Sequence, residues 1–263
     1  MTNKKRVYTT QLGAGLGLIE ETKILLESWQ PSMDQASLYQ EVLHSGRFPN
    51  ISARRLRNIV VECFAPRYLV NNRLPATLLK KLAHALTSQE LAQLLFLYTC
   101  RAHLILADFV RQVYWERYAA GHEIISNIDA ETFVLQAVRD GKTQKLWSES
   151  IVKNVSSYLT GCCADYGLLE KGRKSMRKIL PYRLGSKVAA YLTYDLHCAG
   201  LGDNSVLGHT DWALFGLART DVLDELKHLA LQGYVIVQVA GDVVRINWPY
   251  KSMEEVADVI AQS

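Results

Sequence analysis

The sequence predicts a mainly α fold of two helical lobes, the second carrying winged-helix-like modules with short β-hairpins. Three observations predict it. Apolar residues recur at three- and four-residue spacings through the front half, glycines and capping residues punctuate that pattern at helix-length intervals, and strand-like alternation is concentrated near the end, at Val235, Val237 and Val239. A chain of 263 residues, 49% hydrophobic, can bury a substantial core and is long enough for two lobes, since single domains commonly hold ~100–200 residues.

In the front half, Ile19, Ile24, Leu25 and Trp29 define one helical face, and Leu38, Val42 and Leu43 define another that Gly46 closes. Ser52 has the form of an N-cap for a helix through Leu56, Ile59, Val60 and Phe64, and Pro75 suits the first turn of the next. Thr87 or Ser88 caps a long apolar helix running towards Tyr118 and stopping near Gly121. A shorter helix from Asp129 to Arg139 ends at Asp140-Gly141, which predicts a division into residues 1–140 and 141–263.

The second lobe opens with a helix carrying Ile151, Val155, Tyr158, Leu159 and Cys162 on one face. Leu168 to Arg173 and Lys178 to Tyr182 then form a hairpin turning near Gly172, and Ser186 starts a helix through Val188, Leu192 and Leu196. From Asp211 the order is a short helix, a turn at Arg219-Thr220, a helix from Asp221 to Leu231, and a hairpin turning at Ala240-Gly241-Asp242. Helix, turn, helix and hairpin is the outline of a winged helix-turn-helix.

Five cysteines with no CxxC pair, mostly within apolar runs, predict reduced and buried thiols in a cytoplasmic protein. Met1 to Arg6 is polar and basic with no apolar stretch after it, so no secretory signal is read there. Leu91 to Val110 approaches membrane-span length, but Arg101, His103 and Asp108 interrupt it. Ionisable groups at a bilayer centre cost roughly 2.5–3.5 kcal/mol each, so a buried helix is expected and no membrane partner.

Residues that could carry chemistry are sparse. Gly13, Gly15 and Gly17 are spaced GxGxG with no preceding strand and no following P-loop lysine, which favours a flexible entry to the first helix over a phosphate loop. The seven histidines are scattered without HExxH, and no GxSxG occurs. The only Glu-x-Lys, Glu21-Thr22-Lys23 beside Glu20, lies on a helix, where a solvated face is the commoner reading than a nuclease site. No enzyme activity, metal, cofactor or small-molecule substrate is therefore expected.

The net charge of +4 conceals an asymmetry: residues 141–190 carry 10 Lys+Arg against 3 Asp+Glu, and residues 191–263 carry 4 against 10. One segment suits an anionic partner and the other is kept off it. Two basic clusters follow. Arg54, Arg55 and Arg57 sit at the start of the Ser52-capped helix, where positive charge opposes the helix dipole and so hints at an outside use. Lys171, Arg173, Lys174, Arg177 and Lys178 fall in and beside the first hairpin with only Glu170 opposing them, as a wing reaching backbone phosphates would. The helix starting at Asp221, with Asp224 and Glu225, suits protein contact better than a DNA groove.

The chain resembles the BrxA family of bacterial BREX phage-defence systems. The resemblance covers most of the chain and rests on Tyr8-Thr9-Thr10 leading into Leu18-Ile19-Glu20-Glu21-Thr22, on Arg54-Arg55-Leu56-Arg57 with Arg67-Tyr68-Leu69, and on Trp147 through Asp165-Tyr166-Gly167-Leu168-Leu169 to Leu180-Pro181-Tyr182. It implies a two-lobed, mostly helical, non-catalytic DNA-binding protein acting beside a methyltransferase, an ATPase and a phosphatase-like protein on separate chains. The expectation is an accessory protein that binds double-stranded DNA mainly through phosphates, with weak sequence specificity. The alternative is an assembly module that contacts other BREX proteins, with DNA contact incidental.

Overall fold

The structure, a computed structural model, describes residues 7–172, 174–241 and 243–262. Mainly helical, as the periodicity predicts, it has only short two-stranded antiparallel sheets among the described residues. Helix starts follow capping chemistry. After α1 (Ile19–Ser28), Asp34 accepts the Ser37 N–H at 2.8 Å to open α2 (Gln35–His44), and Gly46 leaves that helix at φ +67°. The Ser52 hydroxyl accepts the Arg55 N–H to open α3 (Ala53–Asn58). That helix continues through a π-helical turn, Ile59–Phe64, into α4 (Ala65–Tyr68). Pro66 explains the wider turn: it cannot donate to the carbonyl four residues back, and its ring would collide with it in a regular α-helix.

Next come α5 (Leu74–Leu82) and α6 (Ser88–Ala102), where Thr87 and Glu90 satisfy each other's backbone N–H in a capping box. The long helix expected to reach Tyr118 is broken. Ala102 ends α6, His103 takes φ −124° and ψ 89°, and the chain bends by 112° into α7 (Leu104–Phe109), a π turn at Val110–Tyr114 and α8 (Trp115–Ala119). Neither glycine nor proline marks this bend. Thr99, Cys100 and His103 before it and Ile105 and Leu106 after it are all buried, so packing on both sides imposes it. Among the described residues no single helix is long and apolar enough to cross a membrane.

The chain continues as β1 (Ile124–Ser126), α9 (Asn127–Arg139), α10 (Glu149–Asp165), β2 (Met176–Lys178), α11 (Ser186–Cys198), α12 (Asp203–Leu207), α13 (Arg219–Leu231), β3 (Ile236–Ala240), β4 (Val243–Asn247) and α14 (Met253–Gln262). The compact units are Met1–Ala76 with Leu95–Tyr182, and Thr77–Leu94 with Arg183–Ser263. The expected boundary at Asp140-Gly141 thus falls inside the first unit. Gly141, at φ +66°, ends α9 and returns the chain so that α10 packs along α9. The Thr160 hydroxyl donates to Asn127 Oδ1 at 2.8 Å across that pair, and Tyr8 N donates to Lys142 O at 2.7 Å. A helix stop is local, whereas a unit boundary depends on what the flanking helices bury.

In the first unit, β1 and β2 pair antiparallel with Ile124 opposite Lys178, Ile125 opposite Arg177 and Ser126 opposite Met176. The other side of β2 is closed by the predicted hairpin, through Glu170 N to Lys178 O and Leu180 N to Leu168 O, both 2.9 Å. The first arm of the predicted hairpin is therefore only one flank of β2.

In the second unit, α11 packs against α12, α13 and α14, and β3 pairs with β4. Asp203 accepts from Ile246 N at 3.0 Å and from Trp248 Nε1 at 3.3 Å, which pins β4 to the start of α12. The Trp248 indole stacks on His197 with centroids 3.8 Å apart. Asp221 reaches back to the Ala218 N–H at 2.8 Å, so α13 starts at Arg219 and the acidic residue is spent on its own helix end. Of the hairpin turn read at Ala240-Gly241-Asp242, Asp242 lies outside the described residues, as do Met1–Arg6.

The Gly13–Gly17 segment is packed tightly, in contrast to the flexible entry expected. A Cβ at Gly15 would lie 2.3 Å from Leu18 Cδ1, and one at Gly17 would lie 2.5 Å from Asp165 Cβ. Its carbonyls point at donors: Arg67 reaches Gly15 O and Leu16 O, and the Tyr166 hydroxyl reaches Gly17 O at 3.1 Å. A phosphate loop would present N–H groups instead. Gly17→Ala should displace Asp165, whose Oδ2 holds Gly17 N at 3.0 Å, and cost about 1–3 kcal/mol by overpacking. Urea unfolding measures it, and an unchanged midpoint would mean that the loop yields freely.

Candidate nucleic-acid interface

Both basic clusters belong to the first unit. Arg54, Arg55 and Arg57 project from the first turns of α3 and are exposed. Leu56, between them, is buried and holds the helix to the core, which forces its neighbours outward. Arg55 Nη1 donates to Ala14 O, so part of that charge is used to fasten the glycine segment. The side chains of Arg54 and Arg57 make no hydrogen bond or ion pair among the described residues. Arg47, just upstream, is committed to Glu27 and to the Ser28 hydroxyl.

The second cluster is thinner than the sequence suggests. The side chains of Lys171 and Lys178 are exposed and make no hydrogen bond or ion pair among the described residues. Lys174 pairs with Glu170 at 2.9 Å, and this hydrogen bond, ahead of the lysine charge itself, holds the Glu170 carboxyl below its usual range. Arg173 lies outside the described residues. Arg177, read as a phosphate contact, is buried instead. Strand alternation turns it to the inner face of β2 beside Ile125, where its Nη1 donates to Glu170 O at 2.9 Å. No hydrogen bond or ion pair among the described residues joins the two clusters.

Periodicity within an irregular stretch cannot reveal which residue of a three-residue strand faces in, because β1 lies some 50 positions away in sequence. The apolar side chains left exposed beside the lysines, Ile124, Ile128 and Met176, escaped the sequence reading for the same reason.

Among the described residues no group of three or more His, Cys, Asp or Glu could hold a metal ion. Lys23 pairs with Glu20 at 2.9 Å on the exposed face of α1. Cys63, Cys100, Cys162 and Cys163 are buried and form no disulfide among the described residues, and burial pushes Cys162 up to about 12, while Cys198 is exposed. A groove of about 610 Å³ in the second unit is lined by Thr87, Glu90, Gln93, Arg183, Glu225 and His228. Within it Glu90 caps α6, and Gln93 bridges Arg183 O and Gly185 N at 2.7 and 2.9 Å.

Comparison with known proteins adds three findings. A crystal structure of an uncharacterised protein from Magnetospirillum magneticum is similar at 15% identity, covering 72% of this chain and 94% of its own, with a TM-score of 0.56. At that identity the likeness concerns the fold. No curated protein matches. The BrxA family model matches residues 6–195, which takes in both basic clusters, the run from α1 to α10 and most of α11, leaving α12 to α14 and the β3–β4 hairpin outside. With most of the chain under that model, this protein belongs to the BrxA family and is a BREX-associated defence protein.

Proposed function

We propose that this protein is a non-catalytic accessory component that binds double-stranded DNA through phosphate contacts, with Arg54, Arg57, Lys171 and Lys178 as the principal contacts and Arg55 and Lys174 as lesser ones. The observation that carries the reading is that the side chains of four exposed cations of one unit make no hydrogen bond or ion pair among the described residues. Glu170, the acid nearest Lys171 in sequence, is hydrogen-bonded to Lys174 at 2.9 Å instead. Phosphate contacts fix position without reading bases, so specificity by base contact is weak.

Duplex affinity measured across salt concentrations tests this. Each phosphate contact steepens log K against log salt by about 0.9, so Arg54→Ala with Arg57→Ala, and Lys171→Ala with Lys178→Ala, should each flatten the slope by up to about 1.8. A flat native slope would end the DNA reading. A pair whose removal leaves the slope unchanged takes no part.

The second reading is an assembly module for other BREX proteins, and the second unit favours it. Residues 191–263 carry 10 acidic against 4 basic residues, and Leu231, 87% exposed, is the last residue of α13. Capture of BREX partners after nuclease treatment, lost on Leu231→Asp, would support it. Incubation of duplex with Mg²⁺ or Mn²⁺ addresses turnover, and cleavage would displace the non-catalytic reading.

A further inference from the structure

The outer face of the β1–β2 ribbon combines apolar and cationic groups. Met176 is 60% exposed, Ile124 42% and Ile128 72%. Ile124 lies opposite Lys178 and Ser126 opposite Met176, and Asn127 N donates to Ser175 O at 2.8 Å, which ties the first turn of α9, where Ile128 sits, to the residue that leads into β2. Arg177 points inward between Met176 and Lys178, so the outward side chains of the strand are one thioether and one ammonium. Lys174 stands two residues before Met176 and Lys178 two after it.

Three exposed apolar side chains are too few for a stable protein interface, and the lysines around them select a polyanion. Along the chain Lys174 and Lys178 are at most ~13 Å apart. A B-DNA minor groove is ~6 Å wide with a phosphate backbone on each side, so an apolar tip between two lysines at that spacing can enter the groove while each lysine meets one backbone.

We propose that Met176, backed by Ile124 and Ile128, is a wedge that inserts between base pairs from the minor groove and kinks the duplex, with Lys174 and Lys178 on the flanking phosphates. This rests on the DNA-binding reading and deepens it. Apolar wedges of this kind partly unstack a step and bend DNA by roughly 20–90°. Pyrimidine–purine steps, above all TA, unstack at least cost, so deformability supplies a sequence preference without a base-reading helix.

The test uses the full chain and end-labelled duplexes carrying either a central TA step or a stiff A-tract, with affinity and end-to-end distance by energy transfer measured together. The native protein should bend the TA duplex by ~20° or more and prefer it about tenfold. Met176→Ala, at an exposed position, should keep the native salt slope yet leave the duplex straight and the preference near one. Lys171→Ala with Lys178→Ala should instead flatten the slope. Native binding to straight duplex, or bending unchanged in Met176→Ala, overturns the wedge while leaving phosphate binding intact. Absence of duplex binding at any salt overturns both. Binding to anionic phosphatidylserine vesicles that Met176→Ala abolishes, with DNA bending unaffected, assigns the patch to a membrane and also overturns the wedge.

Discussion

Arg67→Ala should lower stability by about 3–5 kcal/mol, enough to leave little of the folded margin of a typical domain. Arg67 is 2% exposed and has no carboxylate partner among its hydrogen bonds; its guanidinium donates to Gly15 O at 2.5 Å and Leu16 O at 2.9 Å. Removing it leaves two carbonyls without their donor, one of them in a buried bond, and opens a cavity in the first unit. It also frees the middle of the glycine segment, whose remaining ties are Arg55 at Ala14 and Asp165 and Tyr166 at Gly17. Removal of a buried cation also relieves a desolvation cost, which is why the loss falls short of the sum of two charged hydrogen bonds and a cavity. Arg67→Met, which keeps most of the stem, should cost about half as much. Urea unfolding at constant slope measures both, and a midpoint unmoved in Arg67→Ala would mean that solvent replaces the guanidinium without penalty.

The second large effect is acid sensitivity. Burial, and after it the Arg67 charge, pushes the His103 imidazole down to about 3, so the folded protein keeps it neutral. Unfolded histidine titrates near ~6.5. Between those values the unfolded chain takes up a proton that the folded chain refuses, so stability present in full above ~6.5 falls as pH falls, by up to ~1.4 kcal/mol per pH unit. At pH 4.5 the loss through this residue is about 3 kcal/mol. His103→Leu should lack it: the difference between native and variant stability should shift by that amount from pH 7 to pH 4.5, the carboxylates common to both cancelling. A constant difference would show that His103 charges freely. The same coupling predicts that Arg67→Met raises the His103 pKa.

Much of the fold was legible in the sequence because helix ends obey short-range chemistry. Ser52 and Thr87 cap the helices they precede, Gly46 and Gly141 take positive φ where helices stop, and Pro75 lies in a first turn. Each depends on atoms within four residues, so a linear reading reaches them. The break at His103 does not: nothing between Ser88 and Tyr118 differs from a continuous helix until the buried residues on either side of the bend demand different neighbours.

The candidate interface divides along the same line. The sequence by itself determined that Arg54, Arg55 and Arg57 flank a buried Leu56, that positive charge gathers in residues 141–190, and that the chain is a BrxA protein, because helical periodicity, charge and family pattern are properties of residue order. Only the tertiary structure decided that Arg177 faces inward, that Lys174 is shared with Glu170, and that Met176 stands outward beside Ile124 and Ile128. It also decided that the compact units are not contiguous in sequence. The physical reason is that the face of a three-residue strand, and the unit to which a helix belongs, are set by a partner brought from far along the chain, and hydrogen-bonding and burial with that partner outweigh any local preference.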